Sequence, residues 1–200
     1  MNRLLVIQSS PVTDNSHTRQ LIGRFVDAAR RTQPQLEIVE RDLGRNPPPH
    51  IDEVMIGSYY TAPAERNGAQ QQSIALSEEL VDELLAADTL VIGAPMHNFS
   101  VTSGLKTWID HVARVGRTFQ YGANGPEGLA TGKKAYVLTA SGGDYRPGSA
   151  AESYNHLDPY LRTVLGFIGI TDVTFVNAVS VASGDEGRLN AEAQIEALFG

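Results

Sequence analysis

The sequence predicts an α/β domain: a five-stranded, doubly wound parallel sheet with helices on both faces. Two observations predict it. Short apolar runs alternate with stretches of helical periodicity along the whole chain, the pattern of βαβ units. Leu4–Ile7 is continuously apolar rather than alternating, and Thr89–Ala94 is another buried run, as strands covered on both faces are.

The elements follow in order. Strand Leu4–Ile7 runs into the polar stretch Gln8–Ser16, then a helix with Leu21, Ile22, Phe25, Val26 and Ala29 on one face. A second strand, about Leu36–Arg41, alternates more and reads as nearer an edge. It ends at Asn46-Pro47-Pro48-Pro49, where three prolines forbid regular structure. Residues 50–70 carry a weak signal, with short helices expected around Val54 and after Pro63. A clear helix covers about Gln71–Ala86, with Leu76, Leu80, Val81, Leu84 and Leu85 as its stripe. The third strand, Thr89–Ala94, leads through Pro95–Ser103 to a helix bearing Leu105, Trp108, Ile109 and Val112. Tyr121–Lys133 holds four glycines and one proline and reads as an excursion or functional loop. The strand Ala135–Thr139, a helix from roughly Ser153 to Phe167, a strand Val173–Val179 and a helix Glu186–Leu198 complete the chain. No linker splits it, so residues 1–200 read as one domain.

Composition narrows the class. A formal net charge of −7 argues against a nucleic-acid surface, which wants a basic face. There are no cysteines, which removes disulfides, thiolate nucleophiles and cysteine-ligated metals. The opening apolar run is too short for a signal peptide, and no stretch reaches the roughly 20 apolar residues of a membrane span. The expectation is a cytoplasmic protein.

Ligands of open α/β sheets bind at the carboxyl ends of the strands, so three loops draw attention. Ser9–Thr18 is rich in hydroxyls (Ser9, Ser10, Thr13, Ser16, Thr18) and opens a helix, where free N–H groups and the helix dipole favour an anion. Helix capping by Asn15 or Ser16 is the simpler reading of part of it; Arg19 adds a positive charge or faces solvent. Pro95-Met96-His97-Asn98-Phe99 offers apolar surface for a planar ring, and core packing explains Met96 and Phe99 equally well. Ala140-Ser141-Gly142-Gly143 lets backbone N–H groups come close to a ligand. There is no G-x-G-x-x-G after the first strand, no G-x-x-x-x-G-K-[ST], no G-x-S-x-G and no close His/carboxylate metal spacing. A mononucleotide held through one phosphate is left.

The ordered set Ser10, Ser16-His17-Thr18, Ala94–Phe99, Gly125–Leu129, Thr131–Lys134, Ser141-Gly142-Gly143 and Leu165–Ile170 resembles the FMN-dependent NADH-azoreductase and NADH:quinone oxidoreductase family. The resemblance covers nearly the whole chain. It implies a flavodoxin-like fold with strand order 2-1-3-4-5, and a homodimer with FMN at the subunit interface. NADH or NADPH would be the donor, and a small quinone or azo compound the acceptor in a two-electron ping-pong reaction. The family's phosphate positions match Ser10, Ser16, His17 and Thr18. Its ring-binding loop matches Pro95, Met96, His97, Asn98 and Phe99, and its third flavin contact Ala140, Ser141, Gly142 and Gly143. No metal is implied.

Three departures stand out. His97 occupies a position that is often tyrosine, His17 replaces a small or amide residue, and Ala140-Ser141 replace the Ser-Arg of some members. Because the cofactor carries the chemistry, no side-chain nucleophile is needed; His97 and Tyr145 are the candidate proton donors. The apolar run Val164–Ile170, with Phe119, Tyr121 and Tyr160, is the expected dimer surface. Two rivals remain: a flavodoxin-type electron carrier, and a hydrolase or phosphatase using Ser10 or Ser141.

Overall fold

The structure is a computed structural model that describes Met1–Gly200. Its elements are β1 (Arg3–Gln8), α1 (His17–Thr32), β2 (Glu37–Asp42), α2 (Glu53–Tyr60), α3 (Gly68–Ala86), β3 (Thr89–Pro95), α4 (Ser103–Val112), β4 (Phe119–Gly122), β5 (Gly125–Gly128), β6 (Lys134–Ala140), α5 (Leu157–Phe167), β7 (Asp172–Ala178) and α6 (Glu186–Ala197). Short 3₁₀ turns lie at Pro63–Glu65 and Glu152–Tyr154.

Five strands form one parallel sheet in the order β2-β1-β3-β6-β7, which is 2-1-3-4-5 when only these strands are counted. The runs Leu4–Ile7 and Thr89–Ala94 fall in inner strands, as their patterns require, and Ala135–Thr139 falls in the third. Each face has its own core. On one, Leu80 and Leu84 of α3, Trp108 of α4 and Leu161 of α5 pack against Leu5, Leu90 and Val137. On the other, Leu21 and Phe25 of α1 meet Ala191 and Ile195 of α6 over Val6, Val91 and Leu138. Phe25 is fully buried, its ring centroid 4.8 Å from that of Tyr136; truncating such a ring costs about 3–5 kcal/mol. The chain steps from β1 to β2 on one side, then crosses back to β3 on the other side of β1. The topological switch point therefore lies between the carboxyl ends of β1 and β3.

The structure adds to the sequence expectations in three places. The excursion expected over Tyr121–Lys133 contains most of an antiparallel hairpin, β4–β5, which runs from Phe119 to Gly128. Its residues Gly125-Pro126-Glu127-Gly128 have almost no strand propensity, and tertiary contact holds them instead. A Cβ on Gly128 would lie 2.2 Å from the backbone nitrogen of Gly169, so the two backbones touch, and the Ala130 N–H donates to the Ile168 carbonyl at 2.8 Å. The helix expected from Ser153 begins at Leu157, because Asn155 Oδ1 accepts from the N–H groups of Leu157 and Asp158 and so sets the start. Finally, part of the apolar run Val164–Ile170 is the chain's own core. Leu165, Ile168 and Ile170 are buried, and Phe167 stacks on the buried Phe119 at 4.4 Å. Of the expected surface aromatics only Tyr121 is largely exposed, at 70%.

Candidate functional site

The first loop builds its site from hydroxyls. Ser16 is the N-cap of α1; its Oγ accepts from the Arg19 N–H at 3.5 Å and lies 2.9 Å from Ser10 Oγ and 3.3 Å from Thr18 Oγ1. All three hydroxyl residues are buried, whereas Thr13 and Asn15 face solvent. Asn15 turns the chain into the helix with φ 58°, a conformation asparagine tolerates better than most residues. Ser9, also buried, donates to the Gly93 carbonyl at 2.6 Å and ties the loop to β3. No acidic residue sits in the first turn of α1.

Arg19 neither faces solvent nor is free to meet an anion. Its guanidinium forks onto Asp42 at the end of β2 at 2.7 and 2.8 Å and also donates to the Ser10 and Val12 carbonyls. The partner bond holds the Asp42 carboxyl below the usual carboxylate range, against the opposing effect of burial. The clamp fixes the loop from behind and leaves the N–H groups and hydroxyls in front. Sequence reading missed Asp42, since the pair spans 23 residues and only the β1–β2 register brings it together.

The second loop is a tight turn. His97 and Ser100 exchange backbone hydrogen bonds of 2.9 and 3.0 Å, and the two residues between them have positive φ: 47° at Asn98 and 70° at Phe99. Two left-handed central residues are the signature of a type I′ turn. For Phe99 this is a strained state, held by the aromatic partners Tyr154 at 5.4 Å and Tyr145 at 6.2 Å and by the His156 N–H on the Phe99 carbonyl at 3.0 Å. Pro95 and Met96 are half-buried, and Phe99 is 45% exposed.

The third loop lies beside it because Pro95 and Ala140 are partners in the β3–β6 ladder and Met96 donates to the Ala140 carbonyl at 2.8 Å. Ser141 Oγ donates to the Gly143 carbonyl at 2.8 Å, so the side chain is spent on shaping the turn. A Cβ on Gly143 would meet the Tyr145 ring at 3.3 Å.

The three loops share one property. The backbone N–H groups of His17, Thr18, Asn98, Phe99, Gly142 and Gly143 donate to no acceptor in the chain. They come from the ends of β1, β3 and β6, neighbouring strands about 4.8 Å apart. A helix terminus with hydroxyls is built for a phosphate, and the N–H groups beside apolar Met96 and Phe99 suit the polar edge and the face of a flat heterocycle. Among the expected proton donors, His97 lines an open cavity with Asn98, Lys106 and Tyr160, while Tyr145 lines a separate hollow with Met96 and Ser141. The two do not share one pocket. His17 is half-buried, and its Nδ1 has no partner.

A parallel sheet of this order with a phosphate-type loop at its switch point defines a flavodoxin-like protein. The family model described as Flavodoxin-like fold matches residues 2–198, and the chain belongs to that family. It is 50% identical over 187 residues to an FMN-dependent NADH:quinone oxidoreductase of Herminiimonas arsenicoxydans, covering 94% of this chain and 91% of that protein. It is 45% identical over 185 residues to a protein of the same name from Nostoc punctiforme, covering 92% and 90%. Among solved structures, an FMN-dependent NADH-azoreductase from Bacillus anthracis in complex with FMN superposes with a TM-score of 0.89 at 26% identity, covering 99% of this chain and 98% of that one.

Proposed function

We propose that this protein is an FMN-dependent oxidoreductase that uses NADH or NADPH to reduce quinones and azo compounds by two-electron ping-pong transfer. One observation carries the reading: six unpaired backbone N–H groups and a hydroxyl cluster at the switch point, in a chain about half identical to an enzyme of that name. Ser10, Ser16, His17 and Thr18 would hold the phosphate. Pro95–Phe99 and Ala140–Gly143 would hold the ring and offer N–H donors where negative charge develops, already oriented before the reaction.

FMN, when bound, supplies the reversible two-electron chemistry. The residues of the chain bind it, orient it and limit water beside it; His97 and Tyr145 are the side chains placed to move a proton. Val54, Ile56 and Tyr60 of α2 are 45%, 46% and 76% exposed. These three, with the exposed Tyr121, are apolar side chains left for a partner, which supports the homodimer. No helix is long and apolar enough to cross a membrane, and a cysteine-free chain suits the reducing cytoplasm in which we place it.

The hydrolase alternative is disfavoured by geometry. Ser10 Oγ is bonded to Val12 and Ser16, and Ser141 Oγ to Gly143, with no histidine or carboxylate on either; an activated nucleophile needs such a base. The test is the absorption spectrum of the purified protein, mass identification of the released chromophore, and steady-state oxidation of NADH or NADPH with a quinone. Purified protein that holds FMN but oxidises neither NADH nor NADPH with a quinone is a carrier rather than an enzyme. A colourless protein that cannot be reconstituted with FMN overturns the reading.

A further inference from the structure

Behind the second and third loops lies a small hollow whose wall includes Met96, Ser141, Tyr145, Arg146, Asn177 and Asp158. Asp158 enters it from the first turn of α5. It is half-buried, and no mechanism derived above uses it. Its Oδ2 accepts from Asn177 Nδ2 at 3.4 Å, and Asn177 Oδ1 accepts from Thr139 Oγ1 at 2.9 Å. The chain Thr139–Asn177–Asp158 thus runs from the end of β6, two residues before Ser141, to the start of α5.

We propose that Asp158 takes up a proton when negative charge arrives on the bound flavin, acting through Asn177 and Thr139 as a positioning residue that tunes the electron affinity of the site. The inference rests on the FMN reading above.

Few charges reach this carboxyl. From the 143–156 loop come Arg146 and Tyr145, and the Arg146 guanidinium is forked onto Asp144 at 2.6 and 2.9 Å. On α5 itself, Arg162 is one turn away and lies over the Phe175 ring at 4.3 Å. The ends of β3, β6 and β7 bring only Met96, Thr139, Ser141, Asn177 and Val179 to the hollow, none of them titratable. Asp158 therefore has no ion-pair partner. Burial pushes its carboxyl above the ordinary range, and the bonds to asparagine and the charge of Arg162 oppose that push. The amino end of α5 also favours the carboxylate. The net push is upward, and a further nearby negative charge moves the group further toward the neutral form.

The proton count closes. A hydride brings two electrons and one proton to the flavin, which gains one negative charge; Asp158 takes one proton from solvent and loses one. A quinone then accepts two electrons and two protons, and both residue and cofactor return to their starting states.

The experiment measures the midpoint potential of bound FMN against pH in the wild type, Asp158→Asn and Asp158→Glu. A parallel ¹³C titration follows the Asp158 carboxyl of the wild-type holoprotein, oxidised and reduced. The wild type is expected to take up two protons per two electrons near neutral pH, Asp158→Asn one, and Asp158→Glu two again. Near neutral pH, Asp158→Asn favours reduced over oxidised FMN at least about tenfold more than the wild type does, about 30 mV for a two-electron couple. An identical proton count in wild type and Asp158→Asn, or a carboxyl whose titration ignores the redox state, overturns the proposal while the functional reading stands. Protein without flavin absorbance overturns both.

Discussion

The Arg19 guanidinium and the Asp42 carboxylate meet as a two-pronged fork, 2.7 and 2.8 Å between the paired atoms, with both side chains mostly buried. The pair joins the start of α1 to the end of β2, and it reaches the Ser10 carbonyl in the same arrangement. Asp42→Asn is expected to cost about 1.5–3 kcal/mol at pH 7, the range for hydrogen bonds to charged groups. Because the folded Asp42 carboxyl lies below its ordinary value, its contribution is present above the unfolded pKa of about 3.9. It is lost as pH falls through the folded value. Urea unfolding of wild type and variant should show a gap at neutral pH that closes in acid.

Gly44 is pressed against the same loop. A Cβ there would fall 1.9 Å from the Ser10 carbonyl oxygen and 2.8 Å from Arg19 Nη2. Gly44→Ala must displace backbone, not a flexible tip. The expected outcome is a loss of about 1–3 kcal/mol of stability and weaker FMN binding, measured by quenching of flavin fluorescence in a titration.

Ser16→Ala removes the cap of α1 and the centre of the hydroxyl cluster together. Capping alone is worth about 1 kcal/mol. The loss of a phosphate partner should add a further drop in FMN affinity of about tenfold, equivalent to about 1.4 kcal/mol. Riboflavin, which lacks the phosphate, should bind wild type and variant with a much smaller difference.

Arg114 is an expected centre of stability away from the site. It is 1% exposed, donates to Ser77 Oγ at 2.7 Å and Glu78 at 2.9 Å, and lies 4.4 Å over the Tyr59 ring. Burial pushes its pKa down to about 10. Arg114→Met should cost about 1.5–3 kcal/mol, the range for hydrogen bonds to charged groups, because Glu78 keeps Arg66 and Arg117 as partners; this reads as a fall in Tm of about 3–12 °C. FMN affinity should change little.

His97 and Tyr145 stand in separate cavities, so either can serve a proton without the other. The double variant His97→Ala/Tyr145→Phe is expected to keep its flavin and lose about 10²-fold in turnover, the low end for general acids. Turnover unchanged across pH would assign the proton to solvent.

Much of this was legible in the residues. Continuous runs such as Leu90-Val91-Ile92 mark a strand covered on both faces, and Leu4–Ile7 does the same for the strand that carries the first loop. The hydroxyls of Ser10, Ser16 and Thr18 point to an anion site because capping uses only one of them, Ser16, and leaves the others beside a helix start that favours an anion. What stayed hidden depends on long-range register. Asp42 cannot be matched to Arg19 before β1 is paired with β2, and Asp158 meets Asn177 only across the packing of α5 on β7. The hairpin β4–β5 was hidden for a different reason: Gly-Pro-Glu-Gly carries no strand signal, and its pairing is imposed by contact with Gly169.

The ring loops grow from Pro95 and Ala140, which are rungs of one ladder. The spacing between the two walls of the site is thus inherited from the sheet rather than negotiated between the loops. A residue such as His97, whose side chain faces the open cavity, can be exchanged without moving those walls. A substitution within either loop therefore alters the lining while the separation of the two loop bases stays set by the ladder.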